Sequence, residues 1–344
     1  MSGRHRFLNH VRHATTAAKQ PRGRTLLLTF DAFSTLFHPR QPVAEQYAAT
    51  AHSFGLSPSV VVPDRLQAAF KDAYKAQSKR RPNYGREDVL RGRYGGPREW
   101  WGEVIRGSFT RLLLQEDATG DPVELPDGMV ERLLDRFAGR DGYALYGDVM
   151  PFFERLKRRR LDAGGVGIFD RIVVGVISNS DDRVPAVLKS LGLTVGDVRA
   201  DQERSSMDLP GFEERRSRVD ADAKGFSSAL SSPSETIEPV NDIDMVITSY
   251  EAGEEKPHRL IFDVAKRQAQ RMAASMHAQP EGISFDRWTC VHVGDDYRKD
   301  YRGALDAGWD SFFLAREPTG DHVQPAKKID TLTELIPQLE GYNE

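Results

Sequence analysis

The chain has 344 residues, 39% of them hydrophobic, and a formal net charge of -3. That length supplies one large domain or two of ordinary size with enough apolar material for a core, so a soluble globule is expected. The small net charge excludes strong attraction to nucleic acid or an anionic membrane, and no apolar run of about 18 residues exists to span a bilayer. The single cysteine, Cys290, excludes a disulfide framework, suits a reducing compartment and reads as a buried small hydrophobe.

Residues 1–24 form a basic leader: Arg4, Arg6, Arg12, Lys19, Arg22 and Arg24 are present and no acid precedes Asp31. Its apolar face is only Phe7, Leu8 and Val11, which favours a disordered tail over a mitochondrial transit peptide. A cytoplasmic or nuclear location is expected, with the mitochondrion as the alternative. Residues 25–30 are an apolar strand that delivers Asp31 to its tip before a tight turn. An acid held there by a sheet is half desolvated and open on one side, which suits chemistry. Residues 38–145 read as a helical insertion above the sheet, with helices predicted over 43–54, 64–77, 100–114 and 129–137 from the spacing of apolar positions. Inside it, 79–98 reads as a basic loop in which Arg81, Arg86, Arg91, Arg93 and Arg98 alternate with Tyr84 and Tyr94. Such a loop is solvated, or edges a lid that meets an anionic substrate, in preference to binding nucleic acid.

A helix over 148–159 returns the chain to the core, giving core segments 25–37 and 146–335. The strand at 172–177 leads into Ser178-Asn179-Ser180-Asp181-Asp182, whose hydroxyl and amide groups can hold an anionic oxygen or simply cap a helix. Residues 197–242 have the composition of a disordered surface insertion. After a strand at 245–248, Lys256-Pro257 opens a helix; the lysine can neutralise a carboxylate and a transferred anion, or lie on the surface. A helix at 261–272 and a strand at 288–293 precede Gly294-Asp295-Asp296-Tyr297-Arg298-Lys299-Asp300, and a last strand covers 311–314. This alternation predicts an α/β fold, a doubly wound parallel sheet. If the Asp31 and Asp295 tips are adjacent, their crowded carboxylates repel unless a cation lies among them, and Mg2+ is the hard-cation choice for oxygen ligands. His292 reads as a packed strand residue, and the nine histidines lack the spacing of a zinc site.

Asp at the end of the first strand, Ser at the end of the second, Lys-Pro before a helix and Gly-Asp-x4-Asp after a later strand occur in that order. Across residues 25–320 this arrangement resembles the haloacid dehalogenase superfamily, and the helical insertion is similar to its first-type α-helical cap. Phe70-Lys71-Asp72-Ala73-Tyr74-Lys75-Ala76-Gln77, Pro82-Asn83-Tyr84-Gly85 and Trp100-Trp101 resemble the eukaryotic haloacid dehalogenase-like hydrolase domain-containing protein 3 group. One tryptophan is expected in the core and the other toward the cleft. The resemblance implies a Rossmannoid core with strand order 5-4-1-2-3. It implies Asp31 as nucleophile through a covalent aspartyl intermediate, Ser178 with Asn179 on the transferred group's oxygens, and Lys256 steadying charge. Asp31, Asp295, Asp296 and the main-chain carbonyl of Phe33 would hold Mg2+, and Asp300 would orient Lys256 or the metal's water.

The departure from the pattern is Phe33. Superfamily phosphatases carry an acid two residues after the nucleophile, and loss of general acid catalysis typically costs ~10²- to 10⁴-fold. Bacterial 2-haloacid dehalogenases carry an aromatic there, since halide leaves without a proton, yet they need no metal. Three readings follow: a Mg2+-dependent hydrolase of a small, anionic phosphorylated metabolite; a dehalogenase-like hydrolase at carbon; or a weakened protein that binds a phosphate ligand or a partner. Substrate choice would rest on cap side chains over the pocket.

Overall fold

In β1 (Arg24–Phe30) successive side chains enter opposite cores, Leu26, Leu28 and Phe30 on one face and Leu27 on the other. A strand apolar on both sides belongs inside a sheet covered on both faces. β1 is followed by β2 (Phe37–Pro39), α1 (Val43–Ser53), α2 (Pro63–Arg80), α3 (Pro82–Leu90), α4 (Pro97–Leu114), α5 (Met129–Arg136) and β3 (Tyr143–Leu145). Then come α6 (Val149–Leu161), β4 (Arg171–Ser178), α7 (Val184–Ser190), β5 (Val195–Val198), β6 (Ile243–Thr248), α8 (Ser249–Ala252) and α9 (Arg259–Ser275). The chain continues with β7 (Arg287–Gly294), a π-helical turn Tyr297–Arg302, α10 (Gly303–Asp306), β8 (Asp310–Leu314), β9 (Lys328–Ile329) and α11 (Leu335–Glu340). The computed structural model describes residues 23–114, 124–161, 165–200, 209–211, 240–275, 287–316 and 326–342. Nearly all of the basic leader and most of the 197–242 insertion lie outside the described residues.

The main sheet has seven strands in the order β5-β6-β4-β1-β7-β8-β9, paired in parallel throughout. The five expected strands stand in the expected order 5-4-1-2-3, and β5 and β9 extend the two edges. β5 moves the start of the 197–242 segment: Val195 to Val198 lie beside β6, and Asp242 accepts from the backbone and hydroxyl of Thr194 at 2.8 and 2.7 Å. Both ends of that segment are therefore sheet-bound, which its polar composition conceals.

β2 and β3 pair antiparallel, Phe37 against Leu145, and the five helices α1 to α5 lie between them in the chain. The expected helices are present. The expected basic loop at 79–98 is a correction: α2 runs on to Arg80 and α3 begins at Pro82, where a proline at the first helical position lacks only an N–H that no helix would use. Arg81 pairs with Glu103 at 2.9 Å and lies 3.9 Å above the Tyr94 ring, so its charge is satisfied within the insertion. α3 opens with three left-handed residues, Asn83, Tyr84 and Gly85, at φ 45°, 60° and 76°. Asn83 is secured by a bond from its Nδ2 to the Ser249 carbonyl at 2.8 Å. No helix among the described residues is long and apolar enough to cross a membrane.

Cys290 faces the second core at 7% exposure, and burial pushes its thiol up to about 11. At pH 8 only about one thiol in 10³ is then thiolate, the reactive form. Iodoacetamide should leave the folded protein unlabelled at that pH and modify it fully in guanidinium. Rapid labelling without denaturant would mean that β7 is not seated as described.

Candidate active site

The carboxyl edge of the sheet gathers the site because strand register aligns its tips. Phe30 lies opposite Val176 of β4 and Val293 of β7, and the Asp31 N–H donates to the Val293 carbonyl at 2.8 Å. Asp31 is thus the last residue held by the ladder. The chain then closes on itself: Leu36 and Phe37 N–H groups both donate to the Ala32 carbonyl, and Ser34 takes a left-handed φ of 60°. Ser178 is buried at the tip of β4, and its carbonyl accepts from Ser180 N–H at 2.9 Å.

Lys256 is buried rather than on the surface. Its Nζ donates to Asp31 Oδ1 at 2.5 Å, to the Ile177 carbonyl at 2.6 Å and approaches Asp300 Oδ1 at 2.8 Å. Those three acceptors match the three protons of an ammonium. Asn179, expected beside Ser178 on the transferred group, instead grips the Lys256 main chain. Its Oδ1 accepts from Lys256 N–H at 2.6 Å and its Nδ2 donates to the Lys256 carbonyl at 2.9 Å.

The acidic motif divides its labour differently from the expectation. Asp296 Oδ1 accepts from the N–H groups of Arg298 and Lys299, each at 2.9 Å, so it caps the π-helical turn. A free turn start needs such an acceptor, which draws this carboxylate away from Asp31. Asp300, one turn on, joins the cluster in its place: Asp31, Asp295 and Asp300 bring carboxylate oxygens within 4.8 Å of one another. Asp300 Oδ2 accepts from Asp296 N–H at 3.0 Å. Its side chain lies over Gly294, where a Cβ would stand 2.3 Å from Asp300 Cγ. The glycine of the motif is there for that approach.

Positioning residues emerge that the sequence did not single out. Thr35 Oγ1 donates to Asp295 Oδ1 at 3.1 Å. The Thr35 carbonyl accepts from Arg316 Nη2 at 2.7 Å, and Arg316 Nη1 donates to Asp148 Oδ2 at 2.9 Å. Thr35 sits within the first motif and could have been suspected; Arg316 is 281 residues away and carries no local signal. His292 is packed as expected, at 0% exposure and edge-on to Phe262, but its Nε2 also lies 3.4 Å from Asp300 Oδ1. Burial holds its pKa below the ordinary value. A carboxylate only accepts, so the neutral ring presents Nε2–H to Asp300, with Nδ1 facing Thr29 Oγ1 at 2.9 Å.

One ammonium serves more than one carboxylate, and that decides the electrostatics. Burial works against ionised Asp300, but Lys256 and His292 hold its pKa well below the usual carboxylate range. Burial pushes Asp31 up to about 7, opposed by Lys256 and reinforced by Asp300 and Asp295. Asp295 is pushed up to about 6 by burial and by Asp300. Three clustered carboxylates around one cation carry excess negative charge, and an all-oxygen donor set suits a hard divalent ion. The residues present therefore fit Mg2+, with Asp31, Asp295 and Asp300 as its carboxylates.

Phe33 follows Asp31 by two residues, its ring edge-on to Phe37 and Tyr143 with centroids 4.6 and 5.6 Å away. Beyond Asn179 a cavity of about 590 Å³ opens between the helical insertion and the core loops. Trp100 is 2% exposed and belongs to the core of the insertion while also lining this cavity. Trp101 reaches across to the core, Nε1 donating to Asp181 Oδ2 at 2.7 Å.

No family model matches the chain. It is 27% identical over 298 residues to an uncharacterized protein of Saccharomyces cerevisiae, covering 85% of this chain and 72% of the yeast protein. It is 26% identical over 319 residues to haloacid dehalogenase-like hydrolase domain-containing protein 3 of Homo sapiens, covering 91% and 93%. Among solved structures it is similar to a 2-haloacid dehalogenase from Pseudomonas syringae, at 16% identity and TM-score 0.47 over 92% of this chain and 97% of that one. By sheet order, motifs and relatives the chain is similar to haloacid dehalogenase-like hydrolases. Within that class the chain is similar to the domain-containing protein 3 group, as its insertion motifs imply.

Gly294→Ala should drive Asp300 off its seat, because the added methyl occupies carboxylate space. Overpacking of this kind costs about 1–3 kcal/mol. Chemical denaturation should show that loss; an unchanged stability would refute the assigned role of Gly294.

Proposed function

We propose that the chain is a Mg2+-dependent hydrolase of a small phosphorylated metabolite, with Asp31 as nucleophile and residues 38–145 as a cap over the site. The observation that carries this reading is the buried contact of Lys256 Nζ with both Asp31 and Asp300, at 2.5 and 2.8 Å. A surface ion pair needs no such burial; a carboxylate that must approach an anionic phosphoryl group does.

The Asp31 carboxylate attacks phosphorus, an O–P bond forms, and the ester P–O bond breaks with its electron pair going to the departing oxygen. Water then attacks the aspartyl phosphate, releasing phosphate and restoring Asp31. Lys256 offsets negative charge at Asp31 and on the transferred group, and the Ser178 hydroxyl donates to that group's oxygens. Asn179 fixes the Lys256 main chain so that the ammonium stays aimed. Asp300 holds Lys256 from the opposite side, and His292 holds Asp300. Asp31, Asp295 and Asp300 would hold Mg2+, with the Phe33 carbonyl as the further ligand the motif implies, and the ion would supply charge neutralisation for the phosphoryl oxygens. Phe33 gives no proton to the departing oxygen, so a leaving group that needs little protonation is favoured.

The aromatic at Phe33 also supports a second reading, displacement of halide from carbon. The crowded carboxylates rank it lower, since that chemistry requires no cation among them.

Purified protein should release phosphate from acetyl phosphate and p-nitrophenyl phosphate with Mg2+ and lose this activity in EDTA. Asp31→Asn should lower turnover by about 10³-fold or more, the scale of losing a catalytic group that acts covalently. An Asp31→Asn protein as active as the parent would refute the nucleophile assignment. Chloride release from 2-chloropropionate without phosphatase activity would instead support the second reading, and no turnover of any of these would leave a ligand-binding protein.

Phe33→Asp is the complementary probe. If the missing acid limits alkyl phosphate esters, this variant should raise their kcat by about 10²-fold, the lower end of general acid catalysis. Acetyl phosphate, whose leaving group needs no proton, should gain far less. Equal effects on both substrates would show that proton donation is not what Phe33 removes.

A further inference from the structure

We propose that the natural substrate is a phosphate monoester whose alcohol portion carries an ammonium group, that is, a phosphorylated amino alcohol rather than a metabolite with a second anion. This rests on the phosphatase reading of Asp31 and concerns the part of the substrate that is not transferred. The cavity of about 590 Å³ adjoins the reacting centre through Asn179, which lines it while clamping Lys256 at 2.6 Å, and through Glu255, the neighbour of Lys256 in the chain. Its size lies within the range of small-molecule sites.

The charges in its wall are unevenly satisfied. Three carboxylates, Glu87, Glu254 and Glu255, face two cations, Arg86 and Lys299. Glu87 is held by Arg91 at 2.7 Å. Arg86 Nε donates to the Tyr250 carbonyl at 2.8 Å, and its guanidinium lies against Gly253, where a Cβ would stand 3.3 Å from Cζ. Lys299, whose charge Glu255 feels, is 3.3 Å from Asp296. Glu254 and Glu255 are exposed and their carboxylates make no direct hydrogen bond or ion pair among the described residues, though Glu254 acts on Arg86 at longer range as Lys299 does on Glu255. With three carboxylates against two cations the wall keeps a net negative charge, next to the proposed phosphate centre.

An aromatic wall completes the environment. Tyr74, 40% exposed, stands edge-on to Trp100 with centroids 5.5 Å apart, and Tyr84 packs on Trp100 at 5.2 Å. Aromatic rings and an excess of carboxylates in the wall both favour an ammonium over a second anion. An ammonium near the ester oxygen also withdraws electron density from it, which makes the alcohol a better leaving group. Such an alcohol suits a site with Phe33 in place of an acid.

The test compares kcat/KM of the full chain with Mg2+ for O-phosphoethanolamine and for 2-phosphoglycolate, with acetyl phosphate as reference. The amine should be favoured over the carboxylate at least about tenfold, the effect of about 1.4 kcal/mol of differential binding. The double variant Glu254→Gln/Glu255→Gln should lower that ratio about tenfold. A ratio at or below one, or a ratio the double variant leaves unaltered, overturns the proposal while hydrolysis of acetyl phosphate preserves the phosphatase reading. Absence of acetyl phosphate hydrolysis overturns both.

Discussion

A single buried ammonium organises this protein. Lys256 Nζ is shared between Asp31, Asp300 and the Ile177 carbonyl, so three separate chain segments converge on one atom. In a buried setting, removing one member of such a pair strands the other and typically costs about 3–5 kcal/mol, whereas a well-packed apolar replacement often costs nothing. Stability alone therefore gives no reason to keep the arrangement. What it achieves is a fixed carboxylate at Asp31 beside an excess of negative charge from Asp295.

The sheet supplies rigidity, and a set of neutral or fully paired groups supplies aim. His292 and Thr29 lie inside adjacent strands and fix Asp300 from behind. Thr35 fixes Asp295 and is itself fixed by Arg316, whose guanidinium also binds Asp148. The loops that present Ser178 and Lys256 also seat the helical insertion. Asp181 accepts from Trp101, and the Ser249 and Tyr250 carbonyls accept from Asn83 and Arg86. Seating of the insertion and alignment of the site thus share the same short stretches of chain.

Phe33 occupies the position where the proposed mechanism would otherwise use an acid, and it is packed into the scaffold there. Its ring joins Phe37 and Tyr143 at the base of the insertion, where an acid would face an apolar surround. The nucleophile, the lysine and the carboxylate cluster stay intact around it. On the proposed reading the requirement for an acid passes to the leaving group, and the charge of the neighbouring cavity then bears on reactivity as well as on recognition.

The sheet order, the placing of Asp31 and Lys256 at one edge of the sheet, and the segment holding the carboxylates were legible in the sequence. Apolar strands ending in polar motifs are local patterns, and the order of motifs resembles a known superfamily. That Asp300 joins the carboxylate cluster while Asp296 caps the backbone was not legible, because both are aspartates in one motif and only the π-helical turn decides which meets Asp31. The same holds for Asn179, whose amide faces the Lys256 main chain across 77 residues of sequence, and for Arg316. Edge strand β5 was hidden by its short length and its central Gly196-Asp197. Local composition determines which segments become strands and which acids lie at their tips; side-chain direction at those tips is set by contacts between distant segments, which exist only once the chain has folded.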